Sequence, residues 1–396
     1  MIKKSQPWDH RHLFSQIQSA LNDIFVSSRY ADKVIEYYMS HNKKWGSKDR
    51  RYFAETTYDV VRHWRYLQFI KEKTPDLSAL EVYHLLNDKV PVWMNVDQNT
   101  LARIHQAQRD CLDRKIKESI PDWLDQQCES ELKESWNSII QNLNQPAPVD
   151  LRVNLLSTTA ENLQAQLQEE NILSIKLSEE CLTLQERKNV FATQAFKKGF
   201  FEVQDRSSQK VAQLMQLKPG LRVVDACAGA GGKSLHIGTL MKNKGRVIAL
   251  DVHEKKLSEL KKRAVRNKVD VIETRLIDST KVIKRLEDSA DRLLLDVPCS
   301  GLGVLRRNPD TKWKLTKAKL EELQLLQRRL LSDYQIMLRQ EGIMVYSTCS
   351  VLPSENQKQT AWFLENFKSY QLLEEKIILP GSQQGDGFYI AAFKKT

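Results

Sequence analysis

Two segments of the chain place a cysteine in a short, hydroxyl-rich turn directly after an apolar run. Asp296-Val297-Pro298-Cys299-Ser300-Gly301 follows Leu293-Leu294-Leu295, and Ser347-Thr348-Cys349-Ser350 follows Ile343 to Tyr346. A buried cysteine usually packs as a small apolar residue, and either one alone fits that role. As a pair facing one cleft, they suit a harder problem. C5 of a pyrimidine is too poor a nucleophile to take a methyl group directly. A thiolate adding to C6 makes C5 an enamine-like carbon that can attack a methylsulfonium, and a base then removes the C5 proton so that the thiolate can leave. Such chemistry also needs an acid near ring N3 and a methyl donor at a neighbouring strand end.

The donor site is foreshadowed at residues 221–234. Leu221 to Val224 is apolar and ends in Asp225, followed by Ala226, Cys227, Ala228, Gly229, Ala230, Gly231, Gly232, Lys233 and Ser234. A strand, a turn with little side chain and a helix N-terminus let a backbone approach a nucleotide and offer it unpaired N–H groups. A phosphate-cradling Gly-x-x-x-x-Gly-Lys-Ser loop is excluded, because its first position is Cys227. The dinucleotide fingerprint fails because Gly231 and Gly232 are adjacent. An S-adenosylmethionine (SAM) loop remains, against a plain glycine-rich turn.

These segments sit in an alternation of strands and helices from residue 207 onward, which predicts a doubly wound sheet. Expected strands are 221–224, 246–250, 271–276, 291–295 and 343–346, with a long helix over 320–338. Asp225, Asp251, Asp278 and Asp296 then fall at or just past one carboxyl edge, where ligands bind in open α/β folds. Asp251 is placed for ribose hydroxyls and Asp278 for an adenine amino group.

Upstream, Phe14, Ile17, Leu21 and Ile24 share one helical face, and Phe53, Thr57, Val60, Val61, Trp64 and Leu67 share another. Residues 1–142 are therefore expected to be all-helical. Gln145-Pro146-Ala147-Pro148 reads as a linker. A small α/β subdomain is expected over 146–205, with strands near 151–155, 172–177 and 182–185 and a helix opened by the capping box Thr158-x-x-Glu161. The third domain is 206–396.

The chain has 396 residues, of which 41% are hydrophobic, enough for two or three cores. Sixty-one Lys+Arg against fifty Asp+Glu give a formal charge of +11, which favours a polyanionic partner. Arg50, Arg51, Arg62 and Arg65 on or beside the second helical face, and Arg306 and Arg307 after the Cys299 turn, are candidate phosphate contacts; solvated charged surface is the plainer reading. Six cysteines without a CxxC pair point away from a metal site and from disulfides. No apolar run approaches the roughly 20 residues that span a bilayer, and residues 1–9 lack the apolar stretch of a signal peptide. A cytoplasmic monomer with no membrane partner is expected.

Asp225-Ala-Cys-Ala-Gly-Ala-Gly-Gly-Lys-Ser234, Asp296-Val-Pro-Cys-Ser-Gly-Leu-Gly-Val-Leu-Arg-Arg-Asn-Pro-Asp310 and Tyr346-Ser-Thr-Cys-Ser-Val-Leu-Pro-Ser-Glu-Asn356 together resemble the RsmB/Sun family of RNA 5-methylcytosine methyltransferases. Phe201-Glu-Val-Gln-Asp205 with Ser207-Ser208-Gln209, and Asp386-Gly387-Phe388-Tyr389, resemble it too. The resemblance runs from about 146 to the C-terminus. It implies a Rossmann-like SAM-dependent methyltransferase domain and an RRM-like small subdomain. More weakly, residues 1–142 resemble the NusB-like RNA-binding domain of the members that act on bacterial 16S rRNA. By that pattern Cys349 attacks C6, Cys299 assists release, Asp296 bridges cytosine and cofactor, and Lys233 lies in the active site. The cofactor contacts implied are Asp225, Cys227–Lys233, Asp251, Asp278 and Asp296, and the partner is 16S rRNA or a small-subunit precursor. DNA cytosine methyltransferases use the cysteine of the Pro-Cys segment instead, so the Thr348-Cys349-Ser350 segment points to RNA. Ala230 stands where many relatives carry proline, and Cys227 reads as a small packing residue. Three alternatives stay open: a non-catalytic RNA-binding assembly or antitermination factor, an N- or O-directed methyltransferase, and a relative that acts on 23S rRNA or tRNA.

Overall fold

The computed structural model describes residues 11–87, 91, 93–381 and 385–396; the leader reading at residues 1–9 lies outside them. The chain forms two compact units. One comprises Met1–Asn144 with Arg307–Leu315, and the other Gln145–Arg306 with Thr316–Thr396. Among the described residues no helix is long and apolar enough to cross a membrane.

The first unit is helical, from Arg11–Phe25 to Ser135–Leu143. Leu13, Ile17, Leu21 and Ile24 of the first helix are buried in its core with Phe53, Val60, Val61, Leu67 and Ile70. The expected single helix through residue 67 is broken: Ser47–Arg62 and Trp64–Lys73 meet at His63. The break has a cause in residues 307–315. Lys312 Nζ donates to Arg62 O at 2.8 Å, and Trp313 Nε1 donates to Val61 O at 2.8 Å. Tyr66 N–H goes to Ser119 Oγ at 2.8 Å. Side chains thus take the groups that a continuous helix would pair internally. Asp310 accepts from Ala31 N at 2.9 Å, at the start of the helix Ala31–His41.

The second unit holds two sheets. Strands β1 (Asp150–Val153), β2 (Ser174–Ser178), β3 (Cys181–Leu184) and β4 (Phe201–Val203) form an antiparallel sheet in the order β2-β3-β1-β4. With the helices Ala160–Glu169 and Gln194–Lys197 this is the βαββαβ arrangement of ferredoxin-like folds. The first of these helices is capped one residue later than expected, by Thr159 Oγ1 accepting from Asn162 N. β4 is only three residues long, too short for its alternation to show in sequence.

The larger sheet contains β5 (Arg222–Asp225), β6 (Arg246–Asp251), β7 (Ile272–Leu276), β8 (Ala290–Asp296), β9 (Leu338–Thr348), β10 (Tyr370–Ile378) and β11 (Phe388–Lys395). Its order is β10-β11-β9-β8-β5-β6-β7. β7, β6, β5, β8 and β9 pair in parallel, and β11 runs antiparallel between β9 and β10. β5 has its sequence successor β6 on one side and β8 on the other, so strand order reverses there and opens a crevice at the carboxyl edge. The long helix ends at Tyr334, and residues 338–342, expected to be helical up to Leu338, already belong to β9.

Candidate active site at the carboxyl edge of the sheet

Each of β5, β6 and β8 ends on the aspartate expected of it: Asp225, Asp251 and Asp296. Asp278 is exposed two residues past β7. Asp225 is buried, and its Oδ2 accepts from Ser234 Oγ at 2.6 Å while Oδ1 has no hydrogen-bond partner among the described residues. Burial, with the Asp296 charge nearby, pushes its carboxyl up to about 7. Asp251 accepts from Gly229 N at 2.9 Å and His253 N at 2.8 Å, so the second strand end holds the first loop in place. Gly231 caps the helix Gly232–Leu240 in a left-handed conformation, φ 84°. A Cβ there would lie 1.9 Å from Leu260 Cδ1, so only glycine lets the loop pack. An unpartnered buried carboxylate oxygen, a loop with little side chain and a strand-end acid fit a nucleoside-bearing cofactor.

The reactive end is built by β8 and β9. Asp296 and Ser347 are paired across these strands, and Asp296 Oδ1 accepts from Ser347 Oγ at 2.8 Å. Cys299 and Cys349 lie three and two residues beyond this pair, and their sulfurs approach to 3.3 Å. All six cysteines are free thiols. The hydrogen bond to Cys349 and burial push the Cys299 thiol well above its ordinary range. Lys233 Nζ donates to Asp296 Oδ2 at 2.6 Å and lies 5.5 Å from the Phe388 ring centre. Burial opposes its charge, but the Asp296 carboxylate outweighs burial and raises its pKa.

Several supporting residues escaped sequence reasoning. Glu355 is fully buried and accepts from Ser300 N at 2.8 Å, from Ser300 Oγ and from Gln327 Nε2 at 3.0 Å. Asn356 accepts from Thr348 Oγ1 and donates to Ser350 O. Both cysteine turns are thereby fixed by the Ser354-Glu355-Asn356 segment. Gly303 N donates to Cys349 O at 2.9 Å, and Gly387 N to Gly303 O at 2.8 Å. A Cβ on Gly303 would lie 2.2 Å from Gly387 O. Asp386 N in turn donates to Asp205, which explains why the terminal Asp386-Gly387 and the Gln204-Asp205 segments belong to one motif set.

The arginines expected to meet RNA have partners within the protein itself. Arg50 donates to the carbonyls of Trp45, Met39 and Asn42, and Arg65 to Ile120 O and Asp122. Arg62 is buried, 3.6 Å from Asp59, and Arg306 is buried, 3.7 Å from Asp386. Helix ends and turns leave carbonyls that long cationic side chains satisfy, which a count of charges does not reveal. Arg51 is exposed beside Glu55, and Arg307 is half-buried.

The model of the family described as 16S rRNA methyltransferase RsmB/F matches residues 212–394, and that of the RsmF/B-like ferredoxin-like domain matches 120–191. The probable ribosomal RNA small subunit methyltransferase B of Synechocystis is 31% identical, over 95% of this chain and 98% of that protein. The chain belongs to the RsmB/F methyltransferase family. The ribosomal RNA small subunit methyltransferase B of Proteus mirabilis is 29% identical over 89% of this chain and 92% of its own. Among solved structures, a methyltransferase homolog protein from Pyrococcus horikoshii has a TM-score of 0.64 at 27% identity, over 72% of this chain and 98% of that one. The crystal structure of PH0851 shares the fold at a TM-score of 0.78 and 22% identity, over 98% of this chain and all of that one. As an RsmB/F methyltransferase the chain uses S-adenosylmethionine as its cofactor.

Proposed function

We propose that this protein methylates C5 of a cytosine in small-subunit ribosomal RNA. The observation that carries the reading is the 3.3 Å approach of Cys299 and Cys349 beside the Lys233–Asp296 pair. A methyltransferase acting on nitrogen or oxygen has no use for two thiols there. When bound, S-adenosylmethionine supplies a methyl group on a sulfonium sulfur; Asp225, Gly229–Lys233, Asp251 and Asp278 would hold it.

Cys349, as thiolate, adds to C6 of the cytosine, and C5 gains the electron density to accept the methyl group. Asp296 hydrogen-bonds the cytosine edge, with Lys233 and Ser347 fixing its two oxygens. Cys299, once its own proton has passed to solvent, takes the C5 proton as a thiolate, the C6–S bond breaks, and Cys349 leaves as a thiolate.

The helical unit is the NusB-like RNA-binding domain in this reading. The net charge of +11, exposed Lys43, Lys44, Lys48 and Arg51, and the names of the relatives support an RNA partner. Bisulfite sequencing of RNA from cells with and without the gene tests the proposal. Loss of protection at one cytosine of small-subunit rRNA is expected. Unchanged cytosines in all RNA contradict it, and a change confined to 23S rRNA or tRNA keeps the chemistry and moves the substrate.

A further inference from the structure

The carbonyl side of the cofactor loop is gripped by two arginines, one of which comes from the small ferredoxin-like subdomain. Arg152 sits in β1, is 2% exposed, and donates from Nη1 to Gly232 O and to Gln204 Oε1. Arg263, on the helix Glu254–Asn267, donates to Ala230 O at 2.6 Å. A buried glutamate, Glu202 of β4, accepts from Arg263 at 2.9 Å, from Arg266 and from Asn267 Nδ2. Burial weakens the Arg152 charge, with its pKa brought down to about 10, and the Glu202 charge counteracts that.

The trans peptide makes this grip directional. A carbonyl held from one side points the following N–H to the other. Fixing Gly232 O therefore aims the amide of Lys233, one of the unpaired N–H groups at the N-terminus of the helix Gly232–Leu240. Fixing Ala230 O aims the amide of Gly231, which donates to Ala228 O at 2.9 Å and closes the turn. These partners act on the loop through its backbone carbonyls.

We propose that Arg152 is a positioning residue for S-adenosylmethionine, and that the ferredoxin-like subdomain, through Arg152 and Glu202, completes the cofactor site by holding the 229–232 loop. The small subdomain is thus part of the methyl-donor machinery, independently of any RNA it meets. The inference rests on the cofactor alone and stands or falls separately from cytosine C5 chemistry.

Calorimetric titration of S-adenosylmethionine into the full-length protein tests it, alongside RNA-binding measurements on the same preparations. Arg152→Met is expected to weaken cofactor binding about tenfold or more, in the range usual for outer-shell partners, with RNA affinity within about twofold of the parent. Arg152→Lys recovers part of the loss, because an ammonium still reaches one carbonyl. Arg263→Met loses affinity in the same direction, and the double variant loses less than the product of the two single losses, since both restrain one loop. Folding is checked by circular dichroism, and if Arg152→Met does not fold, Arg152→Lys and Arg263→Met decide by the same readouts. Cofactor affinity within twofold of the parent in the folded variants overturns the proposal, as does an equal fall in cofactor and RNA affinity.

Discussion

Lys312 is buried and Lys233 half-buried, and their neighbours shift their pKa values in opposite directions. Lys312, 1% exposed in the helical unit, donates to amide oxygens: Arg62 O at 2.8 Å, Asn144 Oδ1 at 3.3 Å and Glu118 O at 3.4 Å. Burial dominates, Arg62 adds repulsion, and its pKa falls well below the ordinary lysine value. Lys233 suffers burial too, but the Asp296 carboxylate at 2.6 Å outweighs it and the ammonium is held more firmly than in water. A carboxylate partner is the difference. It holds one lysine as a fixed charge beside the reactive thiols, whereas the other, its pKa lowered, donates to amide oxygens and breaks a helix at His63.

Variants that separate the strand-end site from the helical anchor test this contrast. The largest effect belongs to Cys349→Ala: methyl transfer falls to background, by about three orders of magnitude or more, while S-adenosylmethionine affinity by calorimetry stays within about twofold. Next comes Asp225→Asn. The carboxyl of Asp225 is raised from 3.8 to about 7 in the folded protein, so the native state binds the proton more tightly than the unfolded chain. Its stability contribution is complete below pH 4 and is lost as pH rises to 7. Urea unfolding should therefore show the parent losing on the order of 4 kcal/mol relative to Asp225→Asn over that interval; a flat difference contradicts the buried carboxyl.

Lys233→Met is expected to slow turnover about 100-fold by leaving Asp296 unsupported, whereas Lys312→Met leaves turnover of the folded protein within about twofold. Lys312→Met instead removes about 2 kcal/mol of stability, because three buried oxygens lose their donor. The smallest and sharpest distinction is in alkali. Lys312 is depressed, so its contribution grows as pH rises toward 10.5; Lys233 is raised, so its contribution is full below 10.5 and lost above it. Denaturation midpoints between pH 9 and 11 should show the parent gaining on Lys312→Met and losing on Lys233→Met. Parallel slopes would remove the contrast.

Much of the site was readable along the chain because strand-end residues follow their own apolar runs. Asp225, Asp251 and Asp296 end such runs, and both cysteine turns follow them. Partners far away in sequence left no periodic signal. Glu355 reaches Ser300 across 55 residues, and Arg152 reaches Gly232 across 80. β10 was invisible for another reason: it is a sheet edge whose Glu374, Glu375 and Lys376 face solvent and carry no alternation. Helical periodicity through His63 was sound locally and was overruled by Lys312 and Trp313, some 250 residues later. Charge is visible in sequence and burial is not: Arg62 and Arg306 are 5% and 4% exposed.

The most direct test of the paired-thiol account is to incubate Cys299→Ala protein with S-adenosylmethionine and its RNA and resolve the products under denaturing conditions. Attack by Cys349 without its releasing partner predicts a protein–RNA adduct that survives denaturant and disappears when Cys349 is also replaced. Continued turnover by Cys299→Ala with no adduct contradicts it.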